Sequence, residues 1–152
     1  MDAKKVVAAL NKAIALEHTA ALQYKQHALL VSGLWRKVFA DFFASQSRSS
    51  LEHAEKFGQK VVALGGVPTV EAGTVHQATD LEEMLLQDLT LEKDTMQAYL
   101  EAHTLADGDV ALRTMLESHI ESEQHDIEEL EMNLGMVKPK GVEREISIKR
   151  VK

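Results

Sequence analysis

The sequence predicts an all-α protein, four long helices packed as a bundle with one long crossover between the second and the third. Three observations predict it. Apolar residues recur with a 3.6-residue period through four segments of helix length. Only two prolines and eight glycines occur in 152 residues, against abundant Ala, Leu, Glu and Lys, a balance that favours helix over sheet. The breaks between the periodic segments are two short and one long, the long one in the middle.

The first helix is expected from about Ala3 to Val31, capped by Asp2 and ended by Ser32-Gly33. Its heptad positions are Ala3, Leu10, Glu17, Tyr24 and Val31, with Val6, Ala13, Ala20 and Ala28 on the same side, so Glu17 lies at the centre of the apolar stripe. The second runs from about Leu34 to Leu64 and presents Phe39, Phe43, Gln46, Ser50, Phe57 and Val61 on one face. Gly65-Gly66 and Pro68 stop it, and positions 65–79 have no helical period. Thr79 with Glu82 and Asp80 with Glu83 both fit a capping box for a third helix reaching about Ala106. The turn Asp107-Gly108-Asp109 leads to a fourth, which continues to Leu134.

Such helices are each ~40 Å long at ~1.5 Å per residue. The short turns make the first pair and the last pair antiparallel. The middle connection can reach ~50 Å, enough to traverse the bundle and leave the second and third helices parallel. The bundle is expected over 1–135, with 136–152 a basic tail.

A carboxylate in an apolar interior costs several kcal/mol unless it is paired, protonated or bound to a cation, so Glu17 needs a reason. The other helices supply one. His53 falls within about 30° of the apolar centre of the second helix, Glu92 is central on the third, and Glu123 is central on the fourth, with Asp126 and His119 one turn to either side. His125 points about 160° away from Glu123, toward water. With the crossover topology Glu17, Glu92 and Glu123 come out at ~20 to 26 Å along the bundle and His53 at ~15 Å, so they can meet. A single buried His or Glu is ordinarily satisfied by a neighbouring Lys, Arg or hydroxyl. Here no basic residue falls near the stripe centres at that height, and three carboxylates share it, which calls for a cation.

With no cysteine in the chain, such a cation would be held by oxygen and imidazole, as iron, manganese or zinc can be. The net charge of −7 argues against nucleic-acid binding, although six of the seventeen basic residues lie between Lys138 and Lys152. The chain begins with an amphipathic segment, so no signal peptide or membrane span is expected, and the default is a cytoplasmic protein.

At these residues the sequence resembles the bacterioferritins and their relatives among the ferritin-like di-iron carboxylate bundles. The resemblance is carried by ALEHTAALQY around Glu17 and Tyr24, SLEHAEKF through LGGVP around His53, DLTLEKD around Glu92, and ESEQHDIEELE in the fourth helix. Together these cover nearly the whole chain to about Leu134. The resemblance implies iron binding and oxidation of Fe(II): Glu17 and His53 holding one metal, Glu92 and Asp126 the other, Glu123 bridging, and Tyr24 orienting Glu92. It also implies a homo-oligomer, a dimer or larger.

Three departures qualify the carry-over. Ser50 stands where the family has the bridging glutamate of its second helix. In the fourth helix, one alignment puts Glu123 and Asp126 on the family's glutamate and histidine, and another uses Ser122 and His125; the apolar pattern of Ile127 and Leu130 favours the first. Leu51 occupies the place of the haem-ligating methionine, so haem is not expected. The tail, with Pro139, Gly141, Ile146 and Ile148, fits a strand-like arm as well as a fifth helix, which puts a large cage in doubt. Besides Fe(II) oxidation, two readings stay open: a non-catalytic bundle with an incomplete site that serves in assembly, and storage in a shell.

Overall fold

The computed structural model describes residues 1–141, and the expected arm around Ile146 and Ile148 lies outside them. Four helices follow in order: α1 (Ala3–Leu30), α2 (Arg36–Ala63), α3 (Leu81–Leu105) and α4 (Val110–Asn133). Their starts follow cap chemistry. Asp2 accepts from the amides of Lys4 and Lys5, Asp80 from Glu83 and Asp109 from Leu112, each satisfying donors that have no partner inside the helix. Of the two expected starts, the one led by Asp80 is therefore used, with Asp80 capping the Glu83 amide.

The second helix starts two residues later than its period suggested. Leu34 and Trp35 belong to the turn instead, 97% and 62% exposed, and Trp35 as N-cap offers no side-chain acceptor. Arg36 closes this corner by donating to the carbonyls of Val31 and Leu29 at the end of α1. At the opposite end, Gly65 takes a left-handed φ of 81° to stop α2. Gly66 then packs so close to α1 that a Cβ there would lie 2.6 Å from Val7 Cγ1.

Side-chain contacts read out the topology. Lys12 on α1 meets Glu101 on α3 at 2.8 Å, while Gln23 farther along α1 meets Asp88 near the start of α3 at 2.8 Å, so α1 and α3 are antiparallel. His103 with Glu117 at 2.8 Å and Lys93 with Glu131 at 3.1 Å make α3 and α4 antiparallel as well. The crossover runs along α1 in the chain direction. Asn11 bonds Val67 and Thr69, His18 the Glu71 carbonyl, Thr19 the Gly73 amide, Gln23 the His76 amide and Gln26 the side chain of Gln77. It thus spans much of the bundle and leaves α2 and α3 parallel. No described helix is long and apolar enough to cross a membrane.

The apolar interior is divided in two. One cluster gathers Leu10, Ile14, Phe57, Val61, Tyr99, Leu112 and Leu116, and the other Ala20, Tyr24, Phe43, Met84, Leu89, Ile127 and Leu130. On α1 the boundary falls between Ile14 and Ala20, where Glu17 stands; on α4 it falls between Leu116 and Ile127, where Glu123 stands. The fold therefore holds a polar layer between two apolar halves.

Candidate metal centre

Glu17, His53 and Glu123 reach into that layer from α1, α2 and α4, and one donor atom from each lies within 4.8 Å of the others. His53 Nδ1 stands 3.2 Å from Glu17 Oε1, so His53 is level with Glu17 rather than lower as helical rise alone suggested. Rise counts residues along an axis and ignores how far a side chain leans, which in a helix is toward its N-terminus. Glu92, from α3, joins the group through its neighbours: it accepts from Tyr24 Oη at 2.5 Å, and its charge bears on Glu123. Asp126 is half-buried one turn beyond Glu123 and feels the charges of Glu92, His125 and His53, but it stands outside the close group. His125 is exposed. Ser50 is buried beside Glu17 and acts to lower its pKa.

The electrostatics follow from burial. Glu17, almost wholly enclosed, has its pKa pushed up to about 7 by desolvation and the charge of Glu92, against the lowering effect of His53 and Ser50. Desolvation, Glu92, Glu17 and Asp126 together push Glu123 up to about 12, so it carries a proton at neutral pH. Asp126 rises to about 6, chiefly by burial and then by Glu92. Burial works against the charged form of His53, yet the bond and charge of Glu17 outweigh it and hold its pKa above the ordinary value. Burial and mutual repulsion thus make Glu17, Glu123 and Asp126 hold their protons to higher pH than ordinary carboxyl groups do, and Glu17 makes His53 do the same.

One atom shows what the layer lacks. Glu123 Oε1 is the one buried side-chain polar atom among the described residues that has no hydrogen-bond partner. A buried acceptor left open costs about 1 to 3 kcal/mol, and the residue that carries it, Glu123, belongs to the donor group with Glu17 and His53. Two carboxylates and an imidazole at this separation match the chemistry of a divalent cation whose bonds are ~2.0 to 2.2 Å, after a small inward movement of the side chains. The residues present fit a metal.

Two features escaped the sequence reading. Tyr99 lies buried on the core face of α3, and its hydroxyl donates to Glu17 Oε1. The signal lay in the spacing: Tyr24 follows Glu17 by seven residues and Tyr99 follows Glu92 by seven. Because α1 and α3 are antiparallel, each tyrosine lands on the glutamate of the other helix. The second is a buried network of Gln23, His27 and Asp88. Asp88 accepts from Gln23 at 2.8 Å and faces His27 Nδ1 at 2.9 Å, while Gln23 holds the crossover through the His76 amide at 3.0 Å. Asp88 sits four residues before Glu92, hence on the same face, and burial pushes its pKa up despite His27. This network serves the crossover.

Comparison with known proteins agrees with this geometry. A family model described as a ferritin-like domain matches residues 7–138. Among solved structures, the crystal structure of a ferritin-like, diiron-carboxylate protein from Bacillus anthracis str. Ames superposes with a TM-score of 0.85 at 33% sequence identity, covering 88% of this chain and 98% of that one.

Proposed function

The chain belongs to the ferritin-like family, and from that premise we propose that its polar layer binds iron and oxidises Fe(II). The observation that carries this reading is the open, buried Glu123 Oε1 beside Glu17 and His53. In the proposed arrangement Glu17 and His53 would hold one metal and Glu92 and Asp126 a second, with Glu123 a ligand available to both. Bound there, iron supplies the redox chemistry, Fe(II) giving up an electron to dioxygen or peroxide. The protein's own part is electrostatic. Releasing the protons of Glu17 and Glu123 exposes carboxylate oxygens, and carboxylate-rich ligation favours Fe(III) over Fe(II). Tyr24 and Tyr99 hold Glu92 and Glu17 in orientation, as supporting hydrogen bonds to metal ligands do.

Ser50 favours a second reading. With a hydroxyl beside Glu17 where the resemblance expects a bridging carboxylate, and with Asp126 outside the close group, the layer offers one well-gathered position and one poorer one. A bundle holding one metal and acting in assembly is the alternative. The exposed Leu22, Leu29, Val38 and Leu51 along α1 and α2 support a homo-oligomer under either reading.

Anaerobic titration with Fe(II), followed by oxygen consumption, tests the proposal. Tight binding that is lost in Glu123→Gln, with oxidation faster than that of free Fe(II), is the expected result. Absence of tight binding in the parent contradicts it, and tight binding without oxidation selects the alternative.

A further inference from the structure

On the α2 and α4 side, a cavity of ≈ 140 Å³ is lined by His53, Lys56, Ser118, His119 and Ser122. His53 is common to this cavity and to the inner donor group: its Nδ1 faces Glu17, so its Nε2, across the ring, points away from the interior. His119 is only 7% exposed. Its Nδ1 lies 2.7 Å from the Met115 carbonyl, which can only accept, so Nδ1 carries the proton and the neutral ring has its lone pair on Nε2. That nitrogen has no hydrogen-bond partner among the described residues, and it is not sealed in the interior. The two imidazoles meet edge to face with centroids 5.0 Å apart, and Phe57 and Tyr99 wall the inner side of His119 at 4.8 and 6.2 Å.

We propose that His53 and His119 form an outer cation position, where a divalent metal of the Fe(II), Co(II) or Zn(II) type is held by imidazole nitrogen and the hydroxyls of Ser118 and Ser122 before passing inward to Glu17 and Glu123. The ligand chemistry suits those metals: neutral imidazole and oxygen donors select them over Mg(II) or Ca(II), which take oxygen alone. His53 then acts at both positions and links them. Lys56 at the cavity rim sets the balance, since its ammonium opposes a resting cation and keeps the outer position weaker than the inner one. Weak outer binding beside strong inner binding is what one-way loading needs. The inference rests on the metal-binding reading of the inner group, and His119 here is a ligand of the outer position only.

Stopped-flow mixing with Co(II) under argon, read by the ligand-field absorption of the bound ion, separates the two claims. The parent is compared with His119→Phe, which keeps the ring volume, with Lys56→Gln on the exposed rim, and with Glu123→Gln. Loading of His119→Phe is expected to slow by roughly tenfold with the final inner occupancy unchanged, and loading of Lys56→Gln to quicken. Should His119→Phe fail to fold by circular dichroism, Lys56→Gln decides alone. Parent-like loading in whichever variants fold, while Glu123→Gln loses tight Co(II), overturns the outer position and leaves the inner site standing. A parent that binds no Co(II) tightly overturns both.

Discussion

The hydroxyl of Tyr99 donates to Glu17, and the hydroxyl of Tyr24 donates to Glu92, so each of the two antiparallel helices steadies the carboxylate of the other. A phenol bonded to a buried carboxyl group fixes its rotamer, and its removal leaves the acceptor in a place water does not reach. Tyr99→Phe is therefore expected to destabilise the apo protein by about 1 to 3 kcal/mol and to weaken metal binding by roughly 10- to 100-fold. Denaturant unfolding and a Zn(II) titration check this. Tyr24→Phe is expected to act the same way through Glu92, so parent-like affinity in both variants would count against the crossed arrangement.

Protons retained by the polar layer make stability depend on pH in a definite direction. Glu17 at about 7, Asp126 at about 6 and Glu123 at about 12 all lie above their ordinary values in the fold, so the folded apo protein binds more protons than the unfolded chain. Their contribution is complete below the ordinary carboxylate pKa and is lost as pH rises through the folded values. The raised pKa values of His53 and Asp88 act in the same sense, and the lowered one of His119 opposes them. Apo stability is expected to fall by several kcal/mol, on the order of 5 to 8, from about pH 5 to about pH 8. Added Zn(II) flattens or reverses that slope, because metal displaces the protons. An apo protein that gains stability over this window would contradict the electrostatic description.

On the fourth helix, Asp126 and His125 are expected to behave oppositely. His125 is exposed and Asp126 half-buried beside the layer, so Asp126→Ala lowers metal occupancy while His125→Ala leaves it unchanged. Metal analysis of the three proteins after Fe(II) loading and gel filtration checks this. Loss from His125→Ala alone would restore the alignment that pairs His125 with Ser122.

Ser50 limits the second metal. The parent is expected to hold fewer than two tightly bound Fe(II) per chain, and Ser50→Glu to raise the number by placing a carboxylate next to Glu17. Isothermal titration gives both stoichiometries. Two equivalents in the parent would show that another residue completes the site.

The depth to which residue patterns reached differs between the fold and the centre. Glu17, Glu92 and Glu123 could be placed in the interior because a heptad stripe reports which face of a helix is buried, and the caps at Asp2, Asp80 and Asp109 carry their own local chemistry. Which side chain touches which across the bundle depends on helix pairing and rotamer, and periodicity carries neither. For that reason the bond from Tyr99 to Glu17 and the pairing of Asp88 with His27 have no signature within a single helix, and rise alone sets His53 lower than its contact with Glu17 shows. Asp126 falls about 60° from Glu123 on a helical wheel, near enough to suggest the centre, yet that angle cannot tell a donor within the close group from one at its edge.

The most direct test is thermal unfolding of the parent and Glu17→Gln at about pH 8, each with and without Zn(II) or Fe(II). At that pH Glu17, with its pKa near 7, is largely ionised in a buried layer of carboxyl groups, and the nearly isosteric amide relieves that cost while still accepting from Tyr99. Apo Glu17→Gln is expected to be more stable than the parent by on the order of 1 to 3 kcal/mol, and to lose the stabilisation that metal gives the parent by binding only the folded state. A destabilised Glu17→Gln whose response to metal matches the parent's would contradict the metal centre.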